Sequence, residues 1–385
     1  MDNKIINAIS EYAKLFGSKG YIESGYIAVR ESDGIAITVA KADLNNIGEN
    51  DVVFVNDKNI ESFEGNFRAT AVILFCAIRQ DKMSEAAAIV DSDAILKYSS
   101  KRKPLQPVMD NVAKLLGVTV KCASKNVAAE IVTALSGYRN ACLMPDAGAV
   151  IKARSLKELI EAVNVLDKAC MAELLAEDKG GTQHLNPLNA LIEQVVYKFT
   201  TRSEYTGKPE AQDAEKAQSV ENAAGAAEVE KADTAASGEN GSQSENESEN
   251  SDSAQEGENQ DVTQSAQNIS GENDGNGGLE IVRKVTLESG KLVALACPRY
   301  VSAVAAIGKP MTVTAEYKDR LGEEINCLPS RMILSDKAFG KALELAGETK
   351  VCFIAQHGVI VMGDSEQELN DAVALTEEAC KAYFA

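Results

Sequence analysis

Tryptophan is absent from the 385-residue chain and aromatic residues make up only 5% of it, so the 45% hydrophobic fraction that suits a packed core is mostly aliphatic. No stripe of clustered Lys and Arg runs through a chain whose formal charge is −19. That argues against nucleic acid as the main partner and against an anionic membrane surface, since both need clustered cations. No long apolar run occurs either. The longest, Ala69 to Ile78, is too short to span a bilayer. The N-terminal stretch lacks a basic region followed by a long apolar segment, and no targeting signal is read there. The eight cysteines include no Cys-x-x-Cys pair and sit singly in apolar segments, which favours buried thiols over disulfides. These absences together lead to the expectation of a cytoplasmic protein.

The charge is unevenly placed. Lys208 to Gly278 holds 17 Asp and Glu against 3 Lys, a net −14, which leaves −5 for the remainder. This stretch contains no Leu and no aromatic residue, and Ile269 is its one Ile. It cannot bury enough apolar surface to offset the entropy of ordering its backbone. Residues 208–278 are expected to be a disordered acidic linker between a domain at 1–207 and a second region at 279–385.

The flanking regions are related. Ala141 to Ala172 and Val351 to Ala382 align at a constant offset of 210, with Cys142/Cys352, Gly148/Gly358, Ser155/Ser365, Glu158/Glu368, Leu159/Leu369 and Cys170/Cys380 among the identities. Upstream the offset is 206 and then 205, matching Lys103-Pro104 with Lys309-Pro310 and Cys122 with Cys327. Three cysteines in register mark an internal duplication. At offset 206 Leu279 meets Ile73, so the second copy is expected to lack a counterpart of roughly the first 72 residues.

Each copy alternates strand and helix. Tyr26 to Arg30, Ile35 to Val39 and Val52 to Val55 read as strands between Ser-Asp-Gly and Gly-Glu-Asn turns. Apolar spacing at Ile5, Ile6, Ile9, Ala13 and Phe16 predicts an N-terminal amphipathic helix. The stretch Asn189 to Phe199 weakly echoes it. A helix ends at Gly117. Strands at Ala141 to Met144 and Ala149 to Ile151 lead to a long helix capped by Ser155 with Glu158 in a capping box, and Asp364 or Ser365 repeats the cap. The alternation implies a sheet flanked by helices.

The stretch FIAQHGVIVMGDSEQELNDAVALTEEAC resembles the C-terminal part of the class II aldolase/adducin family. There a strand runs into His-Gly, then a second strand and a long helix. Cys297 to Met311 is similar to that family's His-x-His-x-x-Tyr segment before Gly-Lys-Pro, and Gly25 to Val55 to its N-terminal loops. The resemblance covers most of 5–172 and 290–385. It implies an α/β fold: a layered α/β/α domain with a mainly antiparallel central sheet, here duplicated with a partial second copy. It also implies zinc held by three His, a Glu that moves the proton, and Asn, Ser and Gly that hold a phosphate or carboxylate.

Carried over residue by residue, most of that machinery is replaced. The His-x-His pair falls on Leu295 and Cys297 in the second copy and on Ile89 and Asp91 in the first. The third His is His357 in one copy and Ala147 in the other, and the acid–base Glu falls near Thr70. Tyr26, Ala28 and Ala40-Lys41 stand in the phosphate loop, where Arg30 is the surviving landmark. Arg30 is a candidate anion ligand, or a partner for Asp33 or Asp43. Only two His occur in the chain, His184 and His357, against three converging ligands for a catalytic zinc. His184 reads as a solvent-facing loop residue. Arg299, near Cys297 in sequence, is the one feature favouring a reactive thiol there. Lys101-Arg102-Lys103 reads as a solvated helix end.

These readings predict a non-catalytic binding or assembly protein without a cofactor. It would self-associate between repeats or as a homo-oligomer, and a small anionic metabolite is a candidate ligand. The alternative is a divergent sugar-phosphate aldolase or epimerase with a replacement metal site. That site would be Asp91, Asp93 and Asp146, which suit a hard cation, or Cys297 and His357 for zinc. A metal-free sensor is a third reading. The remnant pocket therefore comprises Arg30, Asp91, Asp93, Asp146, Cys297 and His357.

Overall fold

The computed structural model describes residues 3–201 and 280–385, apart from Ser24, Lys41, Glu288 and 330–335. The acidic segment expected to be disordered lies outside the described residues.

The first repeat opens with α1 (Asn3–Ser18), whose Ile6, Ile9, Ala13 and Phe16 turn inward. Then come β1 (Tyr26–Glu31), β2 (Gly34–Thr38), β3 (Val52–Asn56), α2 (Gly65–Arg79), β4 (Ala86–Val90), α3 (Asp93–Ser99), α4 (Asp110–Leu116), β5 (Lys121–Cys122) and α5 (Ala128–Ala134). It closes with β6 (Ala141–Met144), β7 (Gly148–Ala153), α6 (Leu156–Ala176) and α7 (Pro187–Thr200). The strands form one sheet in the order β3-β2-β1-β4-β7-β6-β5, antiparallel except for β5 on β6.

Period-two alternation divides each strand between two cores. Ile27, Ala88, Leu143 and Ile151 join α1, α3, α4 and α6 on one face. Ala28, Ile89, Cys142 and Val150 join α2 and α5 on the other. A three-layer α/β/α domain results. Its long helix starts where its cap lies in the sequence: the Glu158 amide donates to Ser155 Oγ at 3.0 Å. Glu158 does not close the box on Ser155. Its carboxylate accepts from the amide and guanidinium of Arg154 instead.

The second repeat comprises β8 (Ile281–Thr286), β9 (Leu292–Ala296), α8 (Arg299–Ile307), β10 (Met311–Thr312), α9 (Lys318–Leu321), β11 (Glu324–Ile325), β12 (Cys327–Leu328), α10 (Asp336–Ala346), β13 (Val351–Ile354), β14 (Gly358–Gly363) and α11 (Glu366–Phe384). Its five-stranded sheet runs β12-β13-β14-β9-β8, with β12 on β13 again the parallel pair. Cys122 sits beside Leu143 and Cys327 beside Phe353, so equivalent residues keep equivalent neighbours. Of the two candidate caps, Ser365 is the one used: its Oγ accepts from the Glu368 amide at 3.2 Å.

The extent of the second copy differs from the sequence expectation. β8 pairs antiparallel with β9, in the place β1 takes against β4. The copy therefore has a strand in the β1 position and, among the described residues, no counterpart of β2 or β3. Without β8, the outer ladder of β9 would be left unpaired, and its buried backbone groups need partners. The echo of α1 in Asn189 to Phe199 is not an echo of place: α7 packs on α4, whereas α1 packs on α6 and β1.

The repeats adjoin along a seam between α6 and α8. The larger core of the first repeat runs through it and takes in Ala303 and Ala306 of α8. Among the described residues, no helix is long and apolar enough to cross a membrane.

Candidate functional site

In both repeats the inherited site positions lie where the strand after the first connection (β4 or β9) ends beside the turn between the last two strands. The fold holds these two segments almost in contact. A Cβ on Gly148, whose φ is +94°, would stand 2.0 Å from the Val90 carbonyl oxygen and 3.1 Å from Asp91 Cα. On Gly358, whose φ is +130°, it would stand 2.4 Å from the Ala296 oxygen and 2.6 Å from Cys297 Sγ. Glycine is retained at both turns because neither the backbone angle nor the space admits a side chain.

In the second repeat this junction faces the first. The Cys297 thiol donates to the His357 carbonyl at 2.7 Å, and the Cys297 carbonyl accepts from Lys168 Nζ of α6 at 2.7 Å. His357, almost fully buried, places Nδ1 3.6 Å from Asp110 Oδ2 of α4. Asp110 also receives Lys114 Nζ at 2.5 Å, and Lys114 reaches Glu193 of α7 at 3.4 Å. The Asp110 amide donates to the Gln356 carbonyl at 3.2 Å. On the same seam Lys168 pairs with Glu280, Arg299 with Asp167 at 3.1 Å, and Asn164 donates to Glu280 at 3.1 Å.

The electrostatics follow from burial. Desolvation would raise the Asp110 carboxyl, but Lys114 and then His357 outweigh it and hold it well below the ordinary range. Desolvation works against the Lys114 charge too, and Asp110 and Glu193 overcome it, so the ammonium is held above its usual value. Glu193 is raised, chiefly by burial. Burial brings Lys168 down to about 8, against the pull of Cys297 and Glu377. Burial also lifts the Cys297 thiol to about 12, with Lys168 opposing. Arg299 does not activate it, because that guanidinium is turned to Asp167. Cys297 is therefore an inert thiol acting as a donor, not a nucleophile or a ready metal ligand.

The first-repeat positions are dispersed. Asp91 Oδ1 accepts from the Glu23 amide at 2.7 Å. Asp93 is exposed at the start of α3, and Asp146 pairs with Arg102 at 2.8 Å on the surface. The three are not brought together: among the described residues, no group of three His, Cys, Asp or Glu is arranged to hold a metal ion. Arg30 pairs with neither Asp33 nor Asp43. Its guanidinium donates to the carbonyls of Ile78, Asp81 and Ser84 at 2.6–3.0 Å and lies 3.5 Å from Glu85. It thereby satisfies acceptors at the C-terminal end of α2 and in the connection that follows it. His184 is half-exposed but not a bare solvent-facing residue. It bonds Glu173 at 2.8 Å, which raises its pKa. Lys101 pairs with Glu177 and Arg102 with Asp146, so two of the three residues of the basic run stand in surface ion pairs. All eight cysteines are free thiols.

Residues 7–174 and 291–384 match the sequence profile of the class II aldolase and adducin N-terminal domain. The chain belongs to that family. The two matched stretches agree with the duplication, and the layered sheets agree with the fold. Solved structures similar to it include an L-fuculose 1-phosphate aldolase (20% identity, 51% of this chain and 98% of that one, TM-score 0.44). YgbL from Escherichia coli, described as a putative aldolase/epimerase/decarboxylase, follows at 16% identity, covering 50% and 98%, with TM-score 0.43. The L-fuculose-1-phosphate aldolase of Thermus thermophilus shares 18% identity over 48% and 100%, with TM-score 0.39. No curated protein matches the chain.

The zinc that the family implies does not fit these residues. One position of the second-repeat triad is Leu295, the thiol of the next is committed to a carbonyl, and His357 faces Asp110.

Two working residues escaped the sequence reading. Ser92 Oγ, before α3, donates to Asp167 at 2.5 Å, and the amides of Tyr300 and Val301, starting α8, donate to Glu377 at 2.9–3.0 Å. Asp167 and Glu377 are equivalent at offset 210, and each long helix uses its acid to hold the start of the helix beside it.

Proposed function

We propose that the chain is a non-catalytic member of the family, a binding or assembly protein whose second-repeat site has become a joint between its two repeats. The observation that carries this is the environment of His357 and Cys297. Both are buried against the first repeat and engaged by Asp110 and Lys168, so the groups that would face a substrate hold a neighbour instead. A buried, paired cluster of this kind gives little net stability but penalises any misplaced docking, because each mismatch strands a charge. No specific observation favours a divergent aldolase or epimerase, since its Asp ligand set is dispersed.

Elemental analysis of protein purified without a His tag or chelator is the test. The expected result is substoichiometric zinc, magnesium, calcium and manganese, and no cleavage of sugar phosphates on adding them. Near-stoichiometric zinc that is lost in His357→Ala would overturn the proposal.

A further inference from the structure

The seam joins two different faces, α6 on the first repeat and α8 on the second. Duplication supplies each repeat with the other face as well. The counterparts, α3 and α11, do not pack on one another to a comparable extent. An interface built from unlike faces is heterologous, and in identical units it would propagate from chain to chain until a ring closed. A second chain repeating the seam would have to join α11 of one molecule to α3 of another.

The side chains on those faces have diverged in a consistent direction. On α6 the stripe Asn164, Lys168 and Met171 is turned to the seam: the first two bond Glu280 and the Cys297 carbonyl, and Met171 belongs to the shared core. The counterparts on α11 are Ala374, Glu378 and Lys381, all exposed. On α8, Ala303 and Ala306 are fully buried in that core, while their counterparts, Lys97 on α3 and Ser100 at its C-cap, are exposed. Arg299 pairs with Asp167 across the seam, whereas the equivalent residues are Asp93 and Glu377.

A repeated seam would therefore bury Lys97 where the original has an alanine in an apolar core. It would set Asp93 against Glu377, and turn the Glu378 carboxylate toward a backbone carbonyl that Lys168 serves in the original. Each change strands a charge or opposes like charges on desolvation. We propose that the seam is used once per chain: α3 and α11 are capped ends, as terminal units of repeat proteins are, and a second copy of this chain does not dock on them.

The test is light scattering on the full chain across a wide concentration range, with Ala374→Trp and Ser100→Trp placed on the two open stripes. Both sites are at the surface. Ala374→Arg and Ser100→Arg serve if a ring variant does not fold. The expected result is the same mass for wild type and variants at every concentration. A larger wild-type species that either substitution returns to single chains would overturn the proposal. A larger species indifferent to both lies on another surface and upholds single use of the seam. Mass is the only readout, so this outcome is separate from that of the metal analysis.

Discussion

Replacing Lys114 with Met should destabilise the chain more at neutral pH than in mild acid. Lys114 Nζ lies 2.5 Å from Asp110 and 3.4 Å from Glu193, whose side chains are 20% and 8% exposed. Its removal leaves two carboxylates facing one another with only His357 nearby. Breaking a buried pair by deleting one partner costs about 3–5 kcal/mol, and the partial exposure of Asp110 argues for the lower end, about 3 kcal/mol. With an unfolding entropy of about 2.1 cal/mol/K per residue over both repeats, each kcal/mol is worth about 1.6 °C, so Tm should fall by about 5 °C at pH 7.5.

The pH dependence has a definite sign. In the variant the carboxylates lose the cation that opposed desolvation, so their folded pKa values rise above the unfolded ones. The folded state then takes up a proton more readily as pH falls, and the penalty shrinks toward pH 5. In the wild type the Asp110 carboxyl is held low. Its contribution is present above the unfolded carboxyl pKa and is lost only as pH falls toward the folded value. Thermal unfolding followed by circular dichroism at pH 7.5 and pH 5 checks both. A Tm within 1–2 °C of wild type at pH 7.5, below what a ~3 kcal/mol loss permits, would refute the reasoning. So would a deficit that grows in acid.

Three further outcomes are expected. Gly148→Ala and Gly358→Ala should each lose about 3 kcal/mol or more, from a Cβ contact near 2 Å on a backbone of positive φ; urea unfolding would show it as a lower midpoint with unchanged slope. Arg30→Ala should cost about 1–3 kcal/mol through the carbonyl acceptors it strands and leave inorganic phosphate binding, read by calorimetry, as it was. A disulfide reagent at pH 8 should leave Cys170, Cys297 and Cys380 untouched in the native protein, since burial raises all three thiols, and reach them only after denaturation; rapid native labelling of Cys297 would contradict its place on the seam.

Much of the fold was legible because the chain states it twice. The alternation of β6, β7 and α6 recurs at a constant offset, and Ser155 and Ser365 announce their helices through a three-residue spacing that the backbone geometry requires. β8 was not legible as a stand-in for β1. By chain position its residues fall opposite α2, and only pairing with β9 sets its place. The seam cluster shows in part: Asp110 and Lys114 form a visible i,i+4 pair, but Glu193 and His357 arrive from distant elements. The bonds of Arg30 are hidden from the sequence because most go to backbone carbonyls, which no side-chain pattern reveals. Asp167 and Glu377 are equivalent acids rather than identical residues, so matching identities between the repeats does not mark them.

The core that runs from the first sheet through α6 to Ala303 and Ala306 of α8 makes the duplication hard to reverse. A chain cut down to its first repeat would leave Met171 in water and take Arg299 away from Asp167. A chain cut down to its second would expose the alanines of α8. Neither half is expected to retain an independent melting transition, so calorimetry should register one cooperative unit. Later substitutions in either repeat are then judged by a stability they hold in common.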